Sequence, residues 1–460
     1  MKTKAVPSGW LERDGRRLDC GPYMSGALEA KVLLERLKVR KDALRDVTAN
    51  GIAGIFNGPR FARSYVDDSA HGIPFLGSTD ILNADLTNLP QLSRKQVAAN
   101  PRLVVHAGWT LITCSGTIGR MAYARSDMEG MAGSQHFMRV VPDPEKIPPG
   151  FLYAYLSSKF GVPLIVGGTY GAIIQHIEPE HIADLPVPRL GKPIETQADN
   201  QIAEAAELRD EAAALRRKAI ARVHQLLSWS TPTTTNITQT AASSLPRRMD
   251  AFHHAPRVVE ARLSLCQLGA APLGSIVEAV FEPNRGPRLK VEDPSFGVPF
   301  LSSSEVFRLD PVGEYPISRR RTPNLENLLV SESDLLIPRS GQLGGIIGRA
   351  VLPLPTYYGH AASEHLVRVR CTSKEDAFFI WSVFASEPGY LATIGTAFGS
   401  SIPSLDCALL AEMKVPRFDD ATRSELAGLA GSAVASSARA IQAERNAVRI
   451  VEDAIEEAAS

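Results

Sequence analysis

The chain of 460 residues lacks the marks of several protein classes. It has no run of about 18 apolar residues, and its start, MKTKAVPSGWLERDGRR, has no apolar middle region, so we expect neither a membrane span nor a signal peptide. Its five cysteines are an odd number and form no C-x-x-C pair, which disfavours a disulfide framework and a zinc site. These absences predict a folded cytoplasmic protein.

The sequence also lacks a net charge, since 50 basic residues balance 50 acidic ones. A neutral molecule exerts no long-range attraction on nucleic acid or on an acidic membrane. Any binding of nucleic acid must therefore come from local patches. A hydrophobic content of 44% is enough for two or more folded domains in a chain of this length.

One stretch of the sequence is written twice. GIPFLGSTD at 72–80 returns as GVPFLSSSE at 297–305, and seven further pairs occur in the same order in both halves. The pairs are Arg17-Leu18-Asp19 with Arg248-Met249-Asp250, Gly58-Pro59-Arg60 with Gly286-Pro287-Arg288, GWTLITCSGTIGR (108–120) with SDLLIPRSGQLGGIIGR (333–349), Ser134-Gln135-His136 with Ser363-Glu364-His365, FLYAYLSS (151–158) with FIWSVFAS (379–386), GGTYG (167–171) with GTAFG (395–399), and DLPVPRL (184–190) with EMKVPRF (412–418). Such a repeat predicts one unit of about 230 residues present in two copies.

Each copy mixes strand and helix patterns, which predicts an α+β domain. We expect Phe75 and Phe300 of the repeated pentapeptide to lie in the two cores. The predicted strands are Leu111–Cys114, Phe137–Val141, Leu335–Ile337 and Leu366–Val369, and the predicted helices are Phe151–Ser158 and Phe379–Ser386.

Each copy ends in a long segment with apolar residues at heptad spacing, which predicts two helices at 194–228 and 419–458. Helices of this length span roughly 50–60 Å and suit an antiparallel spacer. Gly428 and Gly431 predict a frayed or kinked start of the second helix. The seam residues are Ala198, Ala205, Leu208, Ala212, Leu215, Ala219 and Leu226 in the first helix, and Ala427, Val434, Ile441, Val448 and Ile455 in the second.

The predicted fold is therefore α+β, with two pseudo-repeated globular domains separated by two long antiparallel coiled-coil helices. The predicted boundaries are 1–190 for the first domain, 191–228 for the first helix, 229–247 for a Thr/Ser-rich linker, 248–418 for the second domain and 419–460 for the second helix.

Several fragments imitate catalytic motifs without completing them. IPPGF (147–151) has Ile147 where an adenine methyltransferase needs an amide or carboxylate, so its Pro-Pro pair predicts a helix start. PDPEK (142–146) lacks the acid-x-Lys strand of a nuclease site and predicts a solvated turn. CSGTIGR (114–120) predicts a glycine turn that closes a strand, and His136, His176 and His181 are not spaced as metal ligands.

Basic residues cluster in turns of both copies. They suit contact with phosphates, and a solvated surface run is the alternative interpretation. The glycine-rich segment of the first copy carries Tyr170, Gln175 and His176, whereas that of the second carries Phe398, Ser400, Ser401 and Ser404. Different polar sets at one place are what two readers of different base sequences require.

The two domains with G-[IV]-P-F-L, S-G-x-x-G-R, S-[QE]-H and a closing V-P-R, each followed by a long helix, resemble the DNA specificity (S) subunit of type I restriction-modification systems along essentially the whole chain. The resemblance implies two target-recognition domains, each of which reads one half of a bipartite, asymmetric DNA site. It implies that the helices act as a ruler and dock the modification subunits. It further implies that this chain is not an enzyme and holds no cofactor. Partner adenine methyltransferase subunits would use S-adenosylmethionine, and a motor/nuclease subunit would use ATP and Mg²⁺.

The resemblance and the chemistry of the turns together predict the DNA-binding side chains, with no catalytic and no metal-binding residue. Two alternatives remain open at this point: a coiled-coil scaffold or adaptor without DNA binding, and a stand-alone degenerate DNA-modifying enzyme. The predicted DNA-binding residues are Arg60, Arg63, Arg94, Lys95, Arg120, Gln135, His136, Tyr170, Gln175 and His176 in the first copy, and Arg285, Arg288, Lys290, Arg319, Arg320, Arg321, Gln342, Arg349, His365, Ser400, Ser401 and Ser404 in the second.

Overall fold

A computed structural model describes residues 3–13, 21–167, 176–230, 248–399 and 401–459. Contacts divide the chain into two compact units. Unit 1 consists of Met1–Asp210 and Arg439–Ser460, and unit 2 consists of Glu211–Ala438. Each of the two longest helices contributes one part to each unit.

Helices and strands alternate along both units. The helices are α1 (Ser8–Arg13), α2 (Gly21–Met24), α3 (Ala27–Arg36), α4 (Arg94–Ala98), α5 (Pro149–Leu156), α6 (Gly161–Gly167), α7 (Pro179–Ile182), α8 (Lys192–Leu226), α9 (Pro256–Leu265), α10 (Lys374–Ala385), α11 (Glu387–Ile394), α12 (Cys407–Glu412) and α13 (Asp420–Ala459). The strands are β1 (Lys41–Ala43), β2 (Ile55–Asn57), β3 (Tyr65–Val66), β4 (Gly72–Leu76), β5 (Gln91–Ser93), β6 (Thr110–Thr113), β7 (Met121–Tyr123), β8 (Ala132–Gly133), β9 (Phe137–Val140), β10 (Pro186–Pro188), β11 (Ala271–Pro272), β12 (Ala279–Phe281), β13 (Gly297–Leu301), β14 (Tyr315–Ser318), β15 (Asp334–Pro338), β16 (Ala361–Ala362), β17 (Leu366–Arg370), β18 (Ala397–Phe398), β19 (Ser404–Leu405) and β20 (Lys414–Val415).

Unit 1 is built on two four-stranded sheets. The first has the order β2-β9-β6-β7 and is antiparallel throughout. The second has the order β3-β5-β4-β8, and its last pair is parallel, with Phe75 opposite Ala132. Strands β1 and β10 form a separate antiparallel pair.

Unit 2 repeats this topology with three strands in each sheet, and single bridges, Leu336 with Val351 and Lys290 with Ile317, stand where β7 and β3 pair in unit 1. Its sheets have the orders β12-β17-β15 and β14-β13-β16, and the last pair of the second sheet is again parallel, with Phe300 opposite Ala361. Strands β11 and β20 correspond to β1 and β10, and β18 pairs with β19. The sequence repeat is therefore a repeat of sheet order and direction.

The predicted strands and helices of the two copies are confirmed, with ends that differ by a few residues. Phe75 and Phe300 are buried, being 3% and 1% exposed. Helix α5 begins at Pro149 directly after Pro148, as the Pro-Pro pair predicts. The CSGTIGR turn has Gly116 and Gly119 at φ +77°, a conformation that glycine adopts without strain.

A tight turn between successive helices also recurs. Ser158 and Ser386 each accept a hydrogen bond from the backbone N–H three residues later, at Gly161 and Gly389. A Cβ on Gly161 would lie 2.4 Å from the backbone carbonyl oxygen of Tyr155, and one on Gly389 would lie 1.9 Å from that of Val383. Only glycine fits at this place in either unit.

The two long helices are confirmed as α8 and α13. Helix α13 is continuous through Gly428 and Gly431, so the predicted fraying at its start is wrong. Asp419 caps this helix by accepting from the backbone of Thr422 at 2.8 Å, and a Cβ at Gly431 would lie 2.9 Å from the Phe378 ring. The cap and the close packing of α10 hold the start of α13 in place.

Within unit 2 the two long helices run antiparallel. Ser436 donates to Glu211 at 2.8 Å, and Arg222 donates to Glu425 at 3.1 Å. Residue numbers thus rise along one helix as they fall along the other. The predicted seam is mostly buried, with some positions half-buried. The buried members are Ala198, Ala205, Leu208, Ala212, Ala219, Val434, Ile441 and Ile455, and the half-buried ones are Leu215, Leu226, Ala427 and Val448.

Among the helices of the described ranges, none combines the length and the apolar character that crossing a membrane requires.

Candidate nucleic-acid interface

A polar cluster in unit 1 surrounds the turn between β8 and β9. The backbone N–H of Ser134 donates to the Leu76 oxygen at 2.9 Å, which fixes this turn at the end of β4. The guanidinium of Arg63 lies 4.9 Å from the centre of the Phe75 ring and donates to Gln135 Oε1 at 3.2 Å. A cation over an aromatic face is attracted by the ring electrons, so the ring orients the arginine.

His136 brings further members into this cluster. Its Nε2 lies 3.0 Å from Gln135 Nε2. Burial lowers the pKa of His136, and the nearby charges of Arg63, His176 and Arg60 lower it further. His176 in turn contacts Ser115 Oγ at 3.0 Å through Nδ1. The structure therefore brings together five of the predicted residues of unit 1.

Unit 2 carries the same arrangement with different side chains. The backbone N–H of Ser363 donates to the Leu301 oxygen at 2.9 Å, which fixes the turn between β16 and β17. Arg288 lies 4.7 Å from the centre of the Phe300 ring and donates to Glu364 Oε1 at 2.6 Å. Although burial favours the neutral acid, the hydrogen bond and charge of Arg288 hold the pKa of Glu364 below its usual value.

The serine contact of the cluster is repeated as well. Ser340 and Ser404 are joined by a backbone bridge and by a contact of 2.7 Å between their hydroxyl oxygens. Ser115 and His176 form the matching bridge in unit 1. The prediction that the glycine-rich segments place different polar groups at one position is confirmed for this pair, His176 and Ser404.

The contacts correct one detail of the sequence repeat. Gly58-Pro59-Arg60 and Gly286-Pro287-Arg288 match in letters, which pairs Arg60 with Arg288. In the structure Arg63 has the phenylalanine and the turn partner that Arg288 has in unit 2. Arg63, and not Arg60, is therefore the structural counterpart of Arg288, because both precede their strand, β4 or β13, by the same number of residues. The match by sequence letters is shifted by three residues.

In each unit, a buried arginine bonds to the turn that carries the polar cluster. Arg139 on β9 donates to the carbonyl oxygens of Ser134 and Phe137, both at 2.9 Å. Arg368 on β17 donates to the Leu366 oxygen at 2.7 Å and the Ala362 oxygen at 2.8 Å, and to the Ser363 oxygen at 3.5 Å. Both side chains are fully buried.

The two buried arginines keep their charge. Burial lowers the pKa of Arg139 to about 9 and that of Arg368 to about 10, so both are protonated at neutral pH. Their Nε atoms have no hydrogen-bond partner in the described part of the chain. Sequence reasoning missed both residues, although an arginine at the same place in two apolar strands, FMRVV and LVRVR, was the available signal.

A second group of predicted residues lies at the other end of the central strand in each unit. Arg94 donates to the Gly72 oxygen at 3.1 Å, and Arg319 donates to the Gly297 oxygen at 3.2 Å. These carbonyl groups belong to the first residues of β4 and β13. The polar clusters lie at the last residues of the same strands, about 13 Å further along. Lys95, Arg320 and Arg321 are exposed beside them.

Of the remaining predicted residues, His365 adjoins Glu364 in the cluster of unit 2, and the others in the described part of the chain lie outside both groups. The backbone of Arg120 closes the glycine turn after β6, where its N–H donates to Thr113 Oγ1 at 3.0 Å. Lys290 Nζ lies 3.7 Å from the centre of the Tyr315 ring, and Arg349 donates weakly to the Gly344 oxygen at 3.4 Å. Arg285, Gln342 and Ser401 are exposed, and His365 is half-buried with Nε2 4.0 Å from Glu364. Tyr170, Gln175 and Ser400 lie outside the described residues.

Two exposed apolar side chains lie near the cluster of unit 2: Phe398, which the sequence analysis named in the glycine-rich segment, and Ile402, which it missed. Phe398 is 48% exposed and Ile402 is 69% exposed. Phe398 is the last residue of β18, and Ile402 lies shortly before β19, whose Ser404 contacts Ser340. Apolar groups beside polar ones suit a base edge, because thymine presents a methyl group in the major groove.

The chemistry of both clusters is that of binding. Guanidinium groups, imidazoles, an amide and hydroxyls donate and accept hydrogen bonds at an exposed surface. The described residues include no group of three or more His, Cys, Asp or Glu side chains that could hold a metal ion. Arginines at such a surface match the geometry of phosphate oxygens.

Comparison with known proteins finds similarity to solved S subunits of type I restriction-modification systems. An S subunit from M. genitalium shares 12% identity over 92% of this chain and 96% of its own, with a TM-score of 0.37. The HsdS subunit from Thermoanaerobacter tengcongensis shares 13% identity over 90% of this chain and 96% of its own, with a TM-score of 0.28. A third chain comes from a structure that addresses complex assembly and conformational transition of the type I R-M system. It shares 13% identity over 90% of this chain and 97% of its own, with a TM-score of 0.28. No protein-family model and no curated protein matches the chain.

Proposed function

We propose that the chain is the DNA specificity subunit of a type I restriction-modification complex. Each unit would read one half of a bipartite, asymmetric site in double-stranded DNA, here called a half-site. The observation that carries the proposal is the matched cluster, Arg63 with Gln135 and His176 in one unit and Arg288 with Glu364 and Ser404 in the other. The same scaffold presents different donors and acceptors, as two different base sequences require.

The second basic group supports a division of labour within each unit. Arg94 and Lys95, or Arg319 to Arg321, lie about a strand length from the cluster. Basic residues at such a distance can contact phosphates while the amide, imidazole and hydroxyl groups of the cluster contact base edges, since phosphate contacts position a protein and base contacts specify the sequence.

The chemistry would reside in partner subunits in the cytoplasm. Adenine methyltransferase subunits would bring S-adenosylmethionine, a motor/nuclease subunit would bring ATP and Mg²⁺, and this chain would bind none of these cofactors. The long helices α8 and α13 would act as the ruler between the half-sites and as the docking surface for the methyltransferase subunits.

The test is methylome sequencing of cells that carry the chain together with its methyltransferase partner. We expect methylated adenines in one bipartite motif that changes when either unit is exchanged. Purified chain incubated with DNA, Mg²⁺ and S-adenosylmethionine should neither cut nor methylate. Modification by the chain alone would overturn the proposal in favour of a stand-alone enzyme, and a methylome indifferent to the chain would favour a scaffold.

A further inference from the structure

The arginine that lies over the phenylalanine ring has a different partner in each unit. In unit 1, Arg63 donates to the neutral amide of Gln135 at 3.2 Å. In unit 2, Arg288 forms an ion pair with the carboxylate of Glu364 at 2.6 Å. The ring, the strand and the turn are equivalent, and the partner of the arginine is one side-chain difference at matched positions.

We infer that the residue at this position, Gln135 or Glu364, sets how strongly each unit attracts the DNA backbone. Arg63 keeps its full charge for a phosphate, whereas the charge of Arg288 is already balanced by Glu364. At this position, unit 1 would then attract the DNA backbone more strongly than unit 2. The inference rests on the proposed function, because it requires that both clusters face DNA.

The geometry of the ion pair explains why a phosphate would not simply displace Glu364. The side chain of Glu364 is 8% exposed, while that of Arg288 is 33% exposed. A carboxylate that is nearly out of water and fixed by a charge-assisted hydrogen bond is held more firmly than a mobile surface acid. A phosphate that approached Arg288 would meet the negative charge of Glu364 beside it.

The charged groups near the two arginines also differ, and the difference has the same sign as that between Gln135 and Glu364. The charges that act on His136 in unit 1 are those of Arg60, Arg63 and His176, all of them basic groups. In unit 2, the backbone of Arg339 donates to the His365 oxygen at 2.8 Å, and its guanidinium pairs with a second carboxylate, Glu282. Unit 2 therefore holds a carboxylate on Arg288 and a second one on Arg339, whereas the charges that act on His136 in unit 1 come from basic groups.

The experiment exchanges the two side chains in the full-length chain and measures the salt dependence of binding to a random duplex. Each phosphate contact contributes about −0.9 to the slope of log affinity against log salt. Gln135→Glu should make the slope shallower by about 0.9, and Glu364→Gln should make it steeper by the same amount. A change of 0.9 alters the ratio of affinities between about 50 and 200 mM salt by about 3.5-fold.

Two further variants separate this effect from general changes of charge or folding. The double exchange, Gln135→Glu with Glu364→Gln, should restore the wild-type slope. Glu375→Gln adds the same charge as Glu364→Gln but lies in the first turn of α10, beyond the other end of β17, and should leave the slope unchanged. Each substitution copies the side chain of the other unit, so circular dichroism should show folded protein.

The outcomes for the inference and for the proposed function are distinct. If the wild-type chain does not bind duplex DNA at low salt, the clusters do not face DNA and the proposed function fails together with the inference. If the wild type binds with a clear salt slope that neither single exchange changes, the inference alone is overturned. Opposite shifts that cancel in the double exchange support it.

Discussion

Arg139 and Arg368 occupy equivalent buried sites and hold equivalent turns. Arg139 bonds to the carbonyl oxygens of Ser134 and Phe137, and Arg368 bonds to those of Ser363 and Leu366. A guanidinium suits this role because its planar fork reaches several acceptors at once. The turn that carries Gln135 or Glu364 is thus fixed by the strand that follows it.

Replacing Arg139 by Met should lower the free energy of unfolding of unit 1 by about 2–4 kcal/mol, because the buried carbonyl groups lose their donors. Arg139→Lys should restore part of this loss, since an ammonium keeps the charge but not the fork. Urea unfolding measures both. Arg102→Met, at an exposed arginine over the Phe56 ring, is the control and should change stability little. Equal midpoints for Arg139→Met and wild type would contradict a holding role.

Exposed Arg320 and Arg321 should contribute to phosphate binding more than Arg319 does. Arg319 already donates to the Gly297 oxygen, as Arg94 does to Gly72, so part of its role is structural. Arg320→Ala with Arg321→Ala should reduce the salt slope of DNA binding by about 1–2 and leave half-site choice unchanged. A mobility-shift series at several salt concentrations measures this. Unchanged affinity and slope would identify the run as an ordinary solvated turn.

The ion pair of Glu364 should make unit 2 sensitive to acid. The pKa of this carboxyl is lower in the folded chain than its usual value, so its contribution to stability is present above the unfolded pKa and is lost as pH falls through the folded pKa. Between about pH 5 and 3, the wild type should therefore lose stability more steeply than Glu364→Gln. Urea unfolding at stepped pH compares the two. Parallel curves would mean that the pair does not contribute.

Glu444 joins three elements of unit 1. Its carboxylate accepts from the hydroxyl of Tyr153 on α5 and pairs with Arg209 on α8. Burial, and then the charge of Glu444, raise the pKa of Tyr153 well above its usual value. Glu444→Gln should destabilise unit 1 by about 2–4 kcal/mol, because the nearly buried Arg209 loses this carboxylate. Thermal unfolding compares it with Glu457→Gln, an exposed position on the same helix; equal losses would contradict the role of the network.

The sequence predicted those features that depend on local pattern or on the duplication. Heptad spacing located α8 and α13 within a few residues, since an apolar seam requires it. The repeated pentapeptide placed Phe75 and Phe300 in the cores because both copies keep the same packing. Fraying of α13 was predicted wrongly because glycine propensity was weighed without the packing of Phe378 against Gly431.

The polar clusters could be predicted only in part. His136 and His176 are 40 positions apart, and Cys114 and Ser115, directly after β6, bring them together, which is a tertiary effect. Arg63 was a candidate only by its charge, since its partners Phe75 and Gln135 come from different strands and turns. Arg139 was missed because a basic residue within an apolar strand is ordinarily taken to face solvent.

The final prediction tests whether the long helices act as a ruler. Four residues, about one helical turn, would be added to α8 after Asp210 and to α13 after Ala438, at the boundaries between the parts that belong to each unit. Contacts inside each unit, such as Arg222 with Glu425, would be preserved. Four residues lengthen a helix by about 6 Å, which corresponds to one or two base pairs of about 3.4 Å, so the preferred gap between half-sites should grow by that amount. The half-site sequences should stay the same. Adding two residues to each helix would rotate the attached unit by about half a turn and should abolish binding. Methylation of a library of sites with varied gaps, in the presence of the partner subunits, measures both variants; an unchanged gap in the four-residue variant would show that the partners, and not α8 and α13, set the spacing.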